Sequence, residues 1–132
     1  MTKEELIRFW LDSSDENYQS MLNMFQAGEY TWSLFIGHLV IEKLLKAYYI
    51  KAVNREVPRT HDLYKLALQA KLKLNMTENQ KDSLQYITLF NIETRYEEYK
   101  RDFYKKCTKE FAATNIEKIK ELREWMKPKI NN

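Results

Sequence analysis

Polar side chains interrupt the stretch GHLVIEKLLKAYY, Gly37 to Tyr49, where Leu, Ile and Val alone would bury well. Each of His38, Glu42, Lys43 and Lys46 costs free energy there unless it is paired or wetted. Glu42 and Lys46 stand four apart in the favourable order for a helical ion pair, and His38 stands four before Glu42. Read structurally, His38 is a core histidine bonded to Glu42 or to a carbonyl, and the trio is internal pairing. Read chemically, the same residues line a polar cleft. Three further candidates could complete such a cleft. His61, in THDL, lies at a helix start that favours anions and could serve as a general acid or base. Arg95 could bind phosphate bidentately, and Tyr96 could stack on a base. Each also has a plain reading: His61 as a loop-holding imidazole, and Arg95 as the partner of Glu93, Glu97 or Glu98 beside a half-buried tyrosine.

Other chemistry is poorly supplied. Two histidines, one cysteine and scattered acids give no recognised ligand spacing, so no metal and no cofactor is expected. The two glycines stand apart, which excludes a phosphate-binding loop. Cys107, in KKCTK, has no internal disulfide partner and no assigned histidine; its basic neighbours predict a lowered thiol pKa.

The elements that must position these residues are helices. Gly and Pro occur only twice each, too rarely for the turns of a strand-rich fold. Leu6, Phe9, Trp10, Tyr18, Met21 and Phe25 recur at helical spacing, and Gly28 stops that helix. A second helix runs from about Thr31 to Val53 and is apolar nearly all round, which predicts a central helix or one shared with a second subunit. Thr60 can cap a third helix carrying Leu63, Leu66, Ala67 and Ala70. Thr77 and Gln80 form a capping box for a fourth, through Leu84, Ile87, Phe90 and Ile92. TRYEEYKRDFYKKC has no clean apolar stripe and reads as a connector or frayed helix. A last helix spans about Lys109 to Met126, and Pro128 should end it. The expectation is all-α: a single five-helix, up-and-down-like bundle across residues 1–132.

With 132 residues, the chain suffices for one core. No apolar run approaches the roughly 18 residues of a membrane span, and the start, MTKEELIRFW, is charged, so no signal peptide and no membrane are expected and a reducing cytoplasm fits best. The net charge of +3 is too small to announce nucleic acid. Its distribution is uneven: residues 1–30 are acid-rich and the segment Lys100–Lys129 is base-rich, which fits either internal complementarity or a basic binding face. Nine Tyr, six Phe and three Trp exceed what a small monomer hides, so a two-fold homodimer is expected.

An ordered set of motifs carries a family resemblance. It runs from Gly28-Glu29-Tyr30 through Phe35, His38 and Ile41-Glu42-Lys43-Leu44-Leu45-Lys46-Ala47, then Pro58 and Thr60-His61-Asp62-Leu63, to Thr94-Arg95-Tyr96. Over about residues 8–125 the sequence resembles the HEPN domains (higher eukaryotes and prokaryotes nucleotide-binding). The resemblance implies an all-α, commonly dimeric bundle with a polar cleft for nucleotide or RNA, often paired with a minimal nucleotidyltransferase in toxin–antitoxin systems. Many HEPN proteins are metal-independent ribonucleases marked by an arginine, four to six residues, and a histidine. No histidine follows Arg95, and Lys100 stands five positions after it; the bare spacing is met only by Arg55 and His61.

The expected function is therefore a nucleotide- or RNA-binding module, with His38, Glu42, Lys46, His61, Arg95 and Tyr96 as ligand-binding candidates and a nucleotidyltransferase as partner. Two alternatives stand beside it. One is a ribonuclease toxin using His61 with Arg55 or Arg95, and the other a structural adaptor whose cleft binds nothing.

Overall fold

The computed structural model describes residues 1–131. Among these residues there are six α-helices and one short 3₁₀ turn, so the five-helix expectation is corrected to six. The first helix, α1 (Lys3–Gln26), opens on a reciprocal capping box between Thr2 and Glu5. It ends at Gly28, whose φ of 81° is the left-handed conformation that glycine adopts without a Cβ penalty.

The central helix is α2 (Tyr30–Ala52), packed against α1, α3 (Leu63–Gln69), α4 (Glu78–Arg95) and α6 (Lys109–Asn131). This accounts for its apolar character all round: Leu34, Val40, Ile41, Leu44, Leu45 and Ile50 are each fully buried. Gly37 sits where α2 passes between its two long neighbours. A Cβ there would run into Ile119 Cδ1 of α6 and lie 3.0 Å from Met21 Sδ of α1, so the missing side chain permits the close approach.

The capping box of Thr77 and Gln80 opens α4 as expected. At α3 the cap is Asp62, whose side chain accepts from Lys65 N–H, while Thr60 Oγ1 accepts from Asp62 N–H one step earlier. Thr60 therefore shapes the approach to the helix and does not cap it.

One other expectation is sharpened and one corrected. Of the two readings of TRYEEYKRDFYKKC, connector and frayed helix, the connector does not hold: α5 (Glu97–Lys106) is helical, with Glu97 and Glu98 in its first turn and Lys105 and Lys106 in its last, matching the helix dipole. Its only buried side chain is Phe103, which explains why no apolar stripe betrayed it. Nor does Pro128 end α6, which continues to Asn131. An interior proline costs about 3 kcal/mol. Here Ile130 is buried against the core, and Lys51 Nζ donates to the carbonyls of Lys129 and Ile130 at 2.8 and 3.2 Å, holding the final turn.

The acidic and basic arms meet at one point. Asp15 of α1 accepts from Arg123 and Lys127 of α6 at 3.2 and 3.0 Å, so part of the charge asymmetry is internal complementarity. No helix among the described residues is long and apolar enough to cross a membrane.

Candidate functional site

Helical spacing puts His38, Glu42 and Lys46 along one side of α2, and the loop before α3 folds His61 onto them. The carboxylate of Glu42, only 4% exposed, is the hub. Its Oε1 accepts from His61 Nδ1–H at 2.8 Å, and its Oε2 accepts from Lys46 Nζ at 3.0 Å. Burial pushes the Glu42 carboxyl pKa up, but the bonds from His61 and Lys46 outweigh burial and leave it below the ordinary carboxylate value.

His38 is fully buried, and its Nε2–H donates to the His61 carbonyl at 2.8 Å. Because a carbonyl only accepts, this bond fixes the proton on Nε2 and leaves Nδ1 as an acceptor with no partner. Glu42 Oε1 lies 3.9 Å from Nε2, too far for a hydrogen bond. His38 is thus the carbonyl-bonded core histidine of the structural reading, and it holds the His61 backbone in place. Burial lowers its pKa, and the positive charge of Arg95 works in the same direction.

His61 is positioned twice, by His38 through its carbonyl and by Glu42 through Nδ1. Its side chain is 58% exposed, with Nδ1 engaged and Nε2 without a protein partner among the described residues. A buried carboxylate behind a half-open imidazole orients the ring and holds the proton on Nδ1, leaving Nε2 facing outward. Such a pair can accept a proton from a ligand or bind a phosphate oxygen.

Arg95 makes no hydrogen bond or ion pair with His38, Glu42 or His61 among the described residues, and its charge only adds to the effect of burial on His38. Arg95 Nε donates to the Asn91 carbonyl at 3.1 Å and Nη2 to Asn91 Oδ1 at 2.7 Å. Arg95 is therefore held by its own helix and not by Glu93, Glu97 or Glu98. Tyr96, the junction between α4 and α5, is half-exposed, and the Arg95 guanidinium carbon lies 5.9 Å from its ring centre. Arg55 stands apart, donating to the Met1 carbonyl.

Two contributors escaped the sequence reading. Trp10 of α1 lies under Lys46, whose Nζ is 5.2 Å from the ring centre. Asn91, nearly buried, steadies Arg95; its only signal was a polar residue in the apolar face of α4, four before an arginine. Cys107 requires a correction. Burial raises its thiol pKa to about 11, against a weaker opposing effect of the bonded Thr31 hydroxyl, so the basic neighbours do not produce a reactive thiolate.

The buried pair carries a pH dependence. The unfolded His38 takes up a proton near its ordinary pKa of 6.5, while the folded form resists it, so stability falls as pH drops below that value. Glu42 contributes stability above its ordinary 4.5, which is lost as pH falls through its depressed folded pKa. The melting temperature should therefore decline in two stages from neutral to acid pH. In His38→Leu the upper stage should flatten while the lower one remains. Identical slopes in both proteins would contradict the assignment.

Among the described residues, no group of three or more His, Cys, Asp or Glu is placed to hold a metal ion. The family model for the HEPN domain matches residues 7–129. Among solved structures, the chain is similar in fold to the crystal structure of TT1696 from Thermus thermophilus, with a TM-score of 0.79 at 17% identity, covering 93% of this chain and 97% of that one. No curated protein matches the sequence.

Proposed function

The chain belongs to the HEPN domain family, and from that premise we propose that residues 1–132 form one nucleotide- or RNA-binding module whose ligand docks over His61 and Arg95. The observation that carries the reading is the 2.8 Å Glu42–His61 bond, which backs a half-exposed imidazole with a buried carboxylate. Arg95 supplies a fixed guanidinium for phosphate, and Tyr96 supplies a ring for a base. His38 and Lys46 hold this arrangement from beneath. The proposal includes a cytoplasmic setting and a minimal nucleotidyltransferase as partner, both resting on the resemblance. It also includes a homodimer. Leu89 and Ile92 on α4, together with Tyr99 on α5, are exposed and fit a face for a second copy.

The test is RNA affinity alongside thermal melting. Arg95→Ala should lose roughly 1.5–3 kcal/mol of binding, the usual worth of a charge-assisted hydrogen bond. His61→Ala should also weaken binding. Arg95→Ala should melt close to the parent because its side chain is exposed, whereas His61→Ala should lose about 1–3 kcal/mol because it leaves the buried Glu42 Oε1 without its donor. Sedimentation of the same samples should give dimers. Lowered melting with unchanged affinity would return these residues to packing.

A second reading is favoured by the free Nε2 of His61: a metal-independent ribonuclease. In that reaction Nε2 takes the proton of a ribose 2′-hydroxyl, whose oxygen attacks the adjacent phosphorus to form a 2′,3′-cyclic phosphate. The 5′-oxygen is expelled and takes a proton from water, while Arg95 offsets the charge on the phosphoryl oxygens. Cleavage of RNA in excess EDTA, abolished by His61→Ala, would support it. Intact RNA would leave the binding module.

A further inference from the structure

A pocket of about 570 Å³ lies between the α1–α2 turn and α5, and it contains none of the six residues of the His61 site. Its size falls within the range of small-molecule sites. Trp32 of α2 and Tyr104 of α5 both line it and are exposed, and Lys100 and Arg101 of α5 line it with them. Neither cation makes an ion pair or a side-chain hydrogen bond among the described residues, which leaves both charges available to a ligand. Thr31 and Cys107, both nearly buried, complete its lining.

Rings and unpaired cations facing one cavity answer two chemical groups on one ligand. A planar ring stacks on tryptophan or tyrosine. A phosphate takes charge-assisted hydrogen bonds from arginine and lysine. Glu29 and Glu97 also line the cavity, so the local charge is not strongly positive. That balance disfavours a polyphosphate and suits a single phosphate, with the carboxylates free to accept from an amino group on the ring.

We infer that this pocket is a second ligand site, taking a planar aromatic ring that bears one phosphate, as in a mononucleotide or the phosphorylated end of an RNA chain. The site is independent of the one proposed over His61 and Arg95, and each can fail without the other.

Calorimetric titration of the full chain with adenosine 5′-monophosphate tests it. Saturable binding is expected, weakened at least about ten-fold in Trp32→Ala and in Arg101→Ala, the low end of what a stacked ring or a charge-assisted bond contributes. His61→Ala should bind like the parent, and Trp32→Phe should retain much of the affinity because a ring remains. Adenosine and inorganic phosphate should each bind more weakly than the nucleotide, and the triphosphate should bring no gain. Short RNAs with and without a 5′-phosphate separate the two sources: a preference for the phosphorylated end identifies RNA, and binding of the free nucleotide alone identifies a small ligand. No saturation up to about 10 mM would overturn the inference. So would binding that survives Trp32→Ala and Arg101→Ala, or that is lost in His61→Ala.

Discussion

Truncating Phe90 to alanine should lower the stability of the chain by about 3–5 kcal/mol, the usual cost of removing a buried phenyl ring. Phe90 is 1% exposed and sits among rings from three other positions. Its centroid lies 5.7 Å from Tyr86 on its own helix, 5.6 Å from Phe103 of α5 and 6.4 Å from Phe111 of α6. Removing it deletes several edge contacts together, and the surrounding rings are too rigid to fill the space. The consequence should be felt most in α5, which is anchored to the body by Phe103 alone among its buried side chains. Thermal melting should show a fall of roughly 10–20 °C for a domain of this size. Amide exchange in α5 should quicken before the rest of the chain. Tyr104→Ala, on the exposed side of the same helix, is the control and should stay within about 0.5 kcal/mol of the parent. A loss below about 1 kcal/mol for Phe90→Ala would show that the aromatic cluster does not fasten α5.

That dependence explains which elements could be read from the sequence. Helices with several buried turns announced themselves: α2 through its apolar character, and α4 through Thr77, Gln80 and the spacing of Leu84, Ile87 and Phe90. Local signals sufficed because the capping partners stand three residues apart. α5 gave no such signal, since one buried residue in ten makes no stripe and its tertiary anchors lie on α4 and α6. The end of α6 was misplaced for a related reason. Pro128 is a local stop, overruled by Ile130 in the core and by Lys51, far away in sequence, which bonds the last carbonyls.

The site divides along the same line. The Glu42–Lys46 pair was legible, being four apart on one helix, and it forms at 3.0 Å. That His61 would close on Glu42, and His38 on the His61 carbonyl, depends on how the loop returns to α2. Spacing named these residues without saying who bonds to whom. Arg95 shows the opposite limit: three nearby acids suggested ion pairs, yet its guanidinium turns back to Asn91 within its own helix. The Trp32–Arg101 pocket was invisible because its walls come from segments about seventy residues apart.

Glu42→Ala should be the other severe substitution, because the carboxylate joins two cation-capable groups and is nearly buried itself. Removing it leaves Lys46, with only 14% of its side chain exposed, without a counter-charge, and leaves His61 Nδ1–H without an acceptor. Breaking a buried pair in this way costs about 3–5 kcal/mol. The lower end applies here, since the His61 ring is open to water and can rehydrate. Glu42→Gln keeps the shape and one acceptor, so it should lose roughly half as much. It should also shrink the acid stage of the melting profile, leaving the part that Asp15 contributes through its bonds to Arg123 and Lys127. Binding separates the two roles that Glu42 combines. If the carboxylate positions His61 for a ligand, Glu42→Gln should weaken RNA binding by more than its melting predicts, because an amide whose oxygen accepts from Lys46 turns its NH2 toward His61 and no longer accepts from Nδ1–H. If Glu42 only pairs with its neighbours, the amide variant should bind like the parent whenever it is folded. A Glu42→Ala protein within about 0.5 kcal/mol of the parent would mean that the pair behaves as a solvent-screened contact. In that case the half-open imidazole of His61 would have no rigid support, and the site proposed around it would fail with it.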